Sequence, residues 1–593
     1  MWKTAVHNSA ARSSHVHATT RRAHDSKLAT PQQCETINLH CSPVDTLDLD
    51  RVMSLMSDSR KKRLQELLAM TFANMAAKLR ERSADPSIPR AAPQHARSTL
   101  LKKHADRLVQ DNIASRVVND TGDNESLAFC IPFLIVEQKD SGERLRFICW
   151  TQAVNDLLTD VYTSEMSQLQ HSSRYVDAVR QECAVIGDLK ISFFQVEIPP
   201  QFRPLFRFPD CEGNLYEMNR LPMGLRPSAE IMQHIVETIT GVPAAVKPSA
   251  YVDGEKISLC NKRLSTRVWI DGFQSAGPRA ECDEAKARIK KVAKWCNITW
   301  KEDVEISEDY DFIGIRFNHR AHQVSVATKT LKKLPKSYSV RDILVTQLEK
   351  DISRLFFCSG VLRIIPAHFY FSIKWINRKI AELNRMPDAK GDSFKVGMPP
   401  SVATSLNKWL ELAKGLLHLP PQQESAAVCA QQDEFDILFT DASKTGWGAF
   451  LITSRGEIAI IGGKWSEDVS ALHITVLEAR GLRLALMNFK QRLLKNKNVD
   501  IRVDNTSLEF GLRKGKAKAS MQLNEELRAP LTWLVENDFC YSVDYVKSED
   551  NWADGPSRGR IDPQLLRVTR TEVDALNQNR GKYGRQAANS FVK

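Results

Sequence analysis

Four carboxylates in the C-terminal third of this 593-residue chain fall where secondary structure should change. "FDILFTDASKTGWGAFL" reads as a strand ending at Asp441, a Gly-rich turn and a second strand. In "HITVLEARGLRLALMNF", Leu482, Leu486 and Phe489 repeat at i, i+4, i+7, which predicts a helix buried on one face with Glu478 in its N-terminal half. "VDIRVDNTS" is a β-branched strand ending at Asp504, and "EDNWADGPSRG" puts Asp554 at the start of a terminal helix or turn. Acids from four different elements are costly to gather unless a cation neutralises them. Two Mg²⁺ ions about 4 Å apart would do so, activating a water and stabilising the leaving oxygen of a phosphodiester cleavage. The plainer alternative is four unrelated surface acids. Upstream, "VWIDGFQSAG" (268–277) places a further acid, Asp271, where a strand should turn, followed by a glycine.

The elements that would position these residues fall into blocks. Residues 1–100 lack sustained periodicity apart from "KRLQELLAMTFANMAAKLRER" (62–82), whose spacing predicts a helix, and end in a proline-bearing linker. Over 101–335, short β-rich runs alternate with amphipathic helices. Residues 336–420 are almost wholly helical in pattern, and "LPPQQESAAV" is a second linker. A second α/β block spans 430–560, with the turn "SRGE" marking a further hairpin, and 561–593 is a basic tail. The fold class is therefore α/β multidomain, and the length admits three or four domains.

The flanks "TDAS", "LEA", "VDNT" and "NWADGPSR", with their acids 37, 26 and 50 residues apart, resemble ribonuclease H domains in order and separation. That resemblance implies Asp441, Glu478, Asp504 and Asp554 as metal ligands. The histidine usual before the last Asp is not evident: "VKSEDNWAD" offers Lys547 and Glu549 instead.

Upstream, "EQKDSGERLRFICWTQAVN", "VIGDLKISFFQVEIP", "RLPMGLRPSAEIMQ" and "FIGI" (312–315) resemble, in order, the finger and palm motifs of reverse transcriptases. The resemblance implies a right-hand polymerase of fingers, palm and thumb, a helical connection and a C-terminal ribonuclease H-like α/β domain. Lys139 and Arg146 would then neutralise a triphosphate. Asp188 would hold both metals, and Phe193 would stack under the sugar and favour deoxynucleotides. Gly224 would let the backbone approach the incoming base pair, and Lys301 would protonate the leaving pyrophosphate. The alternative for Phe193 alone is plain core packing. The second palm acid has two candidates. Asp271, followed by a helix pattern and reaching Gly314 in 43 residues, is the one the succession favours; Asp253 in "AYVDGEK" needs 61, too long for that succession, but lies at a better distance from Gly224 and stays the alternative. Either choice leaves glycine, Gly272 or Gly254, where the family has a second Asp. Trp150 and Gln152 stand where many relatives have Asp and Arg.

The "LPMGL" turn and the direct palm-to-ribonuclease-H order look most like DIRS-like, tyrosine-recombinase retroelements, trypanosomatid VIPER-type elements in particular. This implies RNA template, DNA primer, RNA–DNA hybrid and deoxynucleoside triphosphates as partners, with other retroelement proteins besides, and two Mg²⁺ (or Mn²⁺) per site. A rival class is a degenerate or domesticated relative that binds nucleic acid or scaffolds a complex without polymerising.

The bulk properties agree with a polyanionic partner: 83 basic against 71 acidic residues give a net charge of +12. Twelve cysteines without a CxxC pair argue against a zinc knuckle or a disulfide framework. No run approaches the roughly 20 apolar residues of a membrane span. Reduced thiols suit a nuclear or cytoplasmic compartment, although the acid-free, basic first 24 residues also admit a mitochondrial transit segment.

Overall fold

The run Gly-Phe-Gln-Ser-Ala-Gly at 272–277 is buried at every position, with small residues on both faces, because it forms an inner strand of a sheet flanked by helices. The computed structural model containing it describes residues 31–37, 39, 45–72, 101–117, 128–139, 142–158, 162–164, 173–210, 212, 214–386, 393–419, 421, 435–517 and 520–561. The chain is an α/β multidomain protein with two compact units, one built from residues up to 167 and 181–308, the other from 168–180 and 309 onward. The expected basic tail, apart from Ile561, and most of the N-terminal region lie outside the described residues. The helix expected over 62–82 is described as Asp58–Phe72, and the rest of that span also lies outside. Among the described residues no helix is long and apolar enough to cross a membrane.

In the first unit, strands β1 (Cys183–Asp188), β2 (Ser265–Trp269), β3 (Gly272–Gly277) and β4 (Glu305–Ser307) form an antiparallel sheet in the order β4-β1-β3-β2. The register sets Gly272 opposite Asp188 and Gly277 opposite Cys183. Helix α1 (Ser228–Thr240) buries Ile231, Met232, Ile235, Val236 and Ile239. Helix α2 (Arg279–Trp295) buries Cys282, Ala285, Ile289, Val292 and Ala293 at helical spacing. Both contact the sheet. A long hairpin, Ile131–Lys139 with Gly142–Trp150, and a short one, Ser249–Val252 with Glu255–Ser258, stand outside it.

In the second unit, β5 (Asp436–Ala442), β6 (Gly446–Ile452), β7 (Ile458–Lys464), β8 (Asn498–Val503) and β9 (Cys540–Tyr545) form one sheet in the order β7-β6-β5-β8-β9. β5, β8 and β9 are paired in parallel, β6 is antiparallel to β5, and β7 is antiparallel to β6. Helices α3 (Ile474–Asn488), α4 (Thr506–Lys514) and α5 (Met521–Glu536) make the crossovers. Leu438, Val499 and Ile501 share one core with Leu482, Leu486, Leu527 and Leu531.

The helical stretch 336–420 contributes helices Val345–Leu362, Tyr370–Leu383 and Pro400–Ala413. It is not packed only on itself: Ile365 and Ala367 belong to the core beneath the β5–β9 sheet. The Ala367 N–H donates to the Gly515 carbonyl at 3.2 Å, and Arg528 donates to the Ala367 carbonyl at 3.4 Å. Trp409 anchors these helices. It is fully buried, lies parallel to Phe369 with ring centroids 4.5 Å apart, and donates its indole N–H to Ser359 Oγ at 2.8 Å. Trp409→Ala removes that volume and leaves the Ser359 hydroxyl without its donor. It should cost about 3–5 kcal/mol in chemical denaturation followed by far-UV circular dichroism. A loss below about 1 kcal/mol would show that the helices do not depend on this seat.

Candidate active sites

Parallel pairing brings the C-terminal ends of the inner strands β5 and β8 side by side, and α3 packs on β5, so Asp441, Asp504 and Glu478 meet at that end of the sheet. Each of the three offers a carboxylate oxygen, and these oxygens lie within 4.8 Å of one another. Asp441 and Glu478 are buried and Asp504 is half-buried. Burial first, then the neighbouring carboxylates, pushes Glu478 up to about 9 and Asp441 up to about 6, with a hydrogen bond from Ser557 opposing the shift at Asp441. One oxygen of Glu478, Oε2, is buried with no hydrogen-bond partner. An orphaned carboxylate oxygen in an all-oxygen cluster of like charge fits a hard divalent cation such as Mg²⁺ or Mn²⁺. The residues present therefore fit the metal that the resemblance implies.

The fourth acid is near but differently engaged. Gly448 stands opposite Asp441 on β6, and a Cβ there would come within 2.3 Å of the Ser557 backbone nitrogen. That bare backbone lets the short helix Asp554–Ser557 lie against the sheet. Trp552 holds the turn by stacking on Phe439 at 5.1 Å, and Asn551 donates to the Thr440 carbonyl at 3.0 Å. Asp554 thus raises the Asp441 carboxyl through its field, yet its own carboxylate is paired with Arg558 at 2.8 Å and it stands outside the cluster of three. Asp504 has a partner that no motif signalled: Ser548 donates to its Oδ2 at 2.7 Å. Lys547 and Glu549, from the same loop, pair with each other at 3.4 Å in solvent.

In the β1–β4 sheet, Asp188 ends β1 and Asp271 sits in the two-residue turn between β2 and β3. The Leu189 N–H donates to the Asp271 carbonyl at 3.0 Å and the Lys301 N–H to the Asp188 carbonyl at 2.9 Å, so three chain segments are tied at one point. Burial and then Asp271 raise the Asp188 carboxyl, and Lys301, whose Nζ lies 3.4 Å from Asp188 Oδ2, opposes them. Ile270 takes φ +57°, a left-handed conformation that costs a β-branched residue of order 1–3 kcal/mol. Gln233 on α1 stabilises it: its Oε1 accepts from the Ile270 N–H at 2.7 Å and its Nε2 donates to the Val268 carbonyl at 3.2 Å. Ser192 donates to Asp271 Oδ2 at 3.0 Å. Gln233 and Ser192 are site residues that no motif signalled.

Asp253 is elsewhere. It occupies, with Gly254, the tip of the separate hairpin at 249–258, both at positive φ, and takes no part in the β1–β4 sheet. Phe193 is half-buried in the short 3₁₀ turn after β1 and packs against the core, consistent with either reading of it. Gly224 faces the end of the long hairpin: a Cβ would meet the Cys149 carbonyl at 3.1 Å, and Asn155 donates to the Gly224 carbonyl at 2.8 Å. Arg146 is paired with Glu137 at 3.3 Å, a residue that also takes Arg144 at 2.7 Å. Lys139 closes its strand opposite Gly142, and its side chain lies outside the described residues. Trp150 donates to Gln152 at 3.3 Å, and Gln152 to Asp156 at 2.6 Å.

No protein-family model matches the chain, and no curated protein does. Among solved structures the chain is similar to the foamy viral protease–reverse transcriptase. One complex of that protein with double-stranded DNA is 14% identical with a TM-score of 0.42, covering 86% of this chain and 98% of that one. Another double-stranded DNA complex is 12% identical with a TM-score of 0.42, covering 88% and 85%. Its complex with an RNA/DNA hybrid is 13% identical with a TM-score of 0.44, covering 88% of this chain and 63% of that one.

The buried carboxyls give the metal-free protein a signature. Both Glu478 and Asp441 have folded-state pKa values above the ordinary carboxylate range, so the fold favours their protonated forms. Their contribution to stability is whole below the ordinary values and is lost as pH rises through about 6 for Asp441 and about 9 for Glu478. In chelator, Glu478→Gln should therefore melt higher than the wild-type protein, by a margin that widens from acid toward pH 9. Saturating Mg²⁺ should narrow it. Equal melting temperatures across the pH range in chelator would contradict this electrostatic account.

Proposed function

We propose that this chain is a metal-dependent enzyme of nucleic-acid phosphodiester chemistry with two separate carboxylate sites. More particularly, we read it as a retroelement reverse transcriptase: an RNA-directed DNA polymerase with coupled ribonuclease H cleavage of RNA in RNA–DNA hybrids. The observation that carries the reading is the meeting of Asp441, Glu478 and Asp504, from three elements, at one sheet edge in the motif order of ribonuclease H. The meeting of Asp188 and Asp271 at the palm turn supports the polymerase half.

When bound, two Mg²⁺ or Mn²⁺ ions per site would supply charge neutralisation and an activated oxygen nucleophile. The chain's own groups do the rest. Asp188 and Asp271 would hold the palm ions through their carboxylate oxygens, and Lys301, beside Asp188, would give a proton to the departing pyrophosphate. Phe193 bears on the sugar, and Gly224 leaves room for the base pair. Lys139 and Arg146 are the groups we assign to the triphosphate, Arg146 after release from Glu137. In the nuclease, Asp441, Glu478 and Asp504 form the inner ligand set and Asp554 completes it once Arg558 moves aside. RNA template, DNA primer, RNA–DNA hybrid and deoxynucleoside triphosphates are the proposed partners, and the net charge of +12 agrees with polyanions. The domain assignment we propose is fingers and palm over 101–335, thumb and connection over 336–420, and the nuclease over 430–560. The motif order supports an origin in a DIRS-like element of the VIPER type; the scattered, unpaired cysteines favour a nuclear or cytoplasmic setting, with a mitochondrial one the alternative that the basic, acid-free first 24 residues leave open.

Gly272 beside Asp271, and Arg146 tied to Glu137, favour a second reading, a relative that binds nucleic acid without polymerising. Primer extension on an RNA template, with hybrid cleavage measured on the same preparation, separates the two. Asp271→Ala should reduce DNA synthesis by at least about a thousand-fold while sparing cleavage, Asp253→Ala should leave both, and Asp441→Asn or Glu478→Gln should do the reverse of Asp271→Ala. Cleavage without any synthesis by the wild-type protein would establish the second reading. Undiminished cleavage by both nuclease variants would overturn the nuclease assignment.

A further inference from the structure

Asp271 lacks the neighbouring carboxylate that its turn would have in a paired site, because position 272 is glycine. Asp188 has a cationic neighbour in Lys301. The side-chain hydrogen bond that Asp271 receives comes instead from a different chain segment: Ser192 Oγ donates to Asp271 Oδ2 at 3.0 Å. Ser192 is only 3% exposed and opens the 3₁₀ turn Ser192–Gln195 just after β1.

The position of that hydroxyl is over-determined. The chain leaves β1 through Ile191 at φ +47°, a conformation costly for a β-branched residue. Gln195, fully buried, stabilises it from three directions. Its Nε2 donates to the Lys190 carbonyl and to the Thr299 carbonyl, both at 2.8 Å, and its Oε1 accepts from the Thr299 N–H at 2.9 Å. The Phe194 N–H closes the turn on the Ile191 carbonyl at 2.9 Å. A strained turn clamped in this way aims one small hydroxyl at one carboxylate oxygen. A serine hydroxyl donating to one carboxylate oxygen fixes the direction of the carboxylate and leaves its other oxygen for a cation.

We propose that Ser192 is a positioning residue of the palm site, holding the Asp271 carboxylate in its metal-binding orientation in place of the support that a second acid at 272 would give. The proposal rests on the polymerase reading of this site but is tested without it. In the full-length chain carrying Asp441→Asn, so that the palm site is read alone, Mn²⁺ binding is measured by electron paramagnetic resonance with and without Ser192→Ala. Loss of one oxygen atom should weaken Mn²⁺ binding roughly ten- to a hundred-fold, the usual effect of removing a group that orients a metal ligand. The melting temperature in chelator should change little. In chains with the nuclease acids intact, Ser192→Ala should raise the Mn²⁺ concentration needed for half-maximal DNA synthesis by a similar factor, with the rate recovered at saturating metal and hybrid cleavage unchanged. Adding Gly272→Asp to Ser192→Ala should restore part of the affinity. Mn²⁺ affinity unaffected by Ser192→Ala, or no Mn²⁺ bound at the palm in the parent, overturns the proposal. Weakened Mn²⁺ binding in a protein that makes no DNA would uphold it while the polymerase reading fails.

Discussion

Carboxylates repel one another, and the cost grows when they are buried. Asp441 and Glu478 are both withdrawn from water, within 4.8 Å of each other and of Asp504, and none of the three has a cationic side chain within ion-pair distance among the described residues. Folding alone gains nothing from that arrangement; the raised Glu478 and Asp441 carboxyls express its cost. The β5–β9 sheet, its crossover helices and the turn at 551–557 can be understood as the framework that holds these acids together. The fold sets the acids at the ends of adjacent parallel strands, where neighbouring chain directions converge and the elements behind them are rigid.

The β1–β4 sheet meets the same constraint by other means. There the sheet is antiparallel, so the acids come from a strand end and the tip of the adjoining hairpin rather than from two parallel ends. Lys301 offsets one charge, Ser192 orients the other, and the strain at Ile270 is held by Gln233 from α1. Two left-handed β-branched residues, Ile191 and Ile270, flank this point, and each is fixed by a buried glutamine, Gln195 or Gln233. Strain concentrated at a pair of acids, with amides spent on holding it, is what a site built for geometry rather than stability displays.

Much of this was legible in the sequence because strand ends, helix periodicity and acids carry local signals. The places of Asp441, Glu478, Asp504, Asp188 and Asp271 on their elements follow from alternation and spacing alone. What escaped depends on register and on distant segments. "YVDG" could not be set aside as the second candidate from sequence, since Asp-Gly is also the preferred type I′ hairpin pair; only in the fold do both residues take positive φ at the tip of a separate hairpin. In "WIDG" the positive φ falls on Ile270, where no composition rule would look for it. Arg146 reads as a free cation until the pairing of Ile135 with Arg146 brings Glu137 alongside. The helical pattern of 336–420 carries no signal that Ile365 and Ala367 complete the core beneath the β5–β9 sheet. Ser548, Ser192 and Arg558 acquire partners only through tertiary contacts, and their types are too common to have signalled it.

The central claim is that one chain carries two independent carboxylate sites for divalent cations. Calorimetric titration of the metal-free full-length protein with Mn²⁺ tests it most directly, comparing the wild type with Glu478→Gln and with Asp188→Asn. The account predicts two classes of binding in the wild type, one abolished by each substitution while the other keeps its affinity. Loss of both classes with either substitution, or wild-type binding that neither substitution alters, would contradict it.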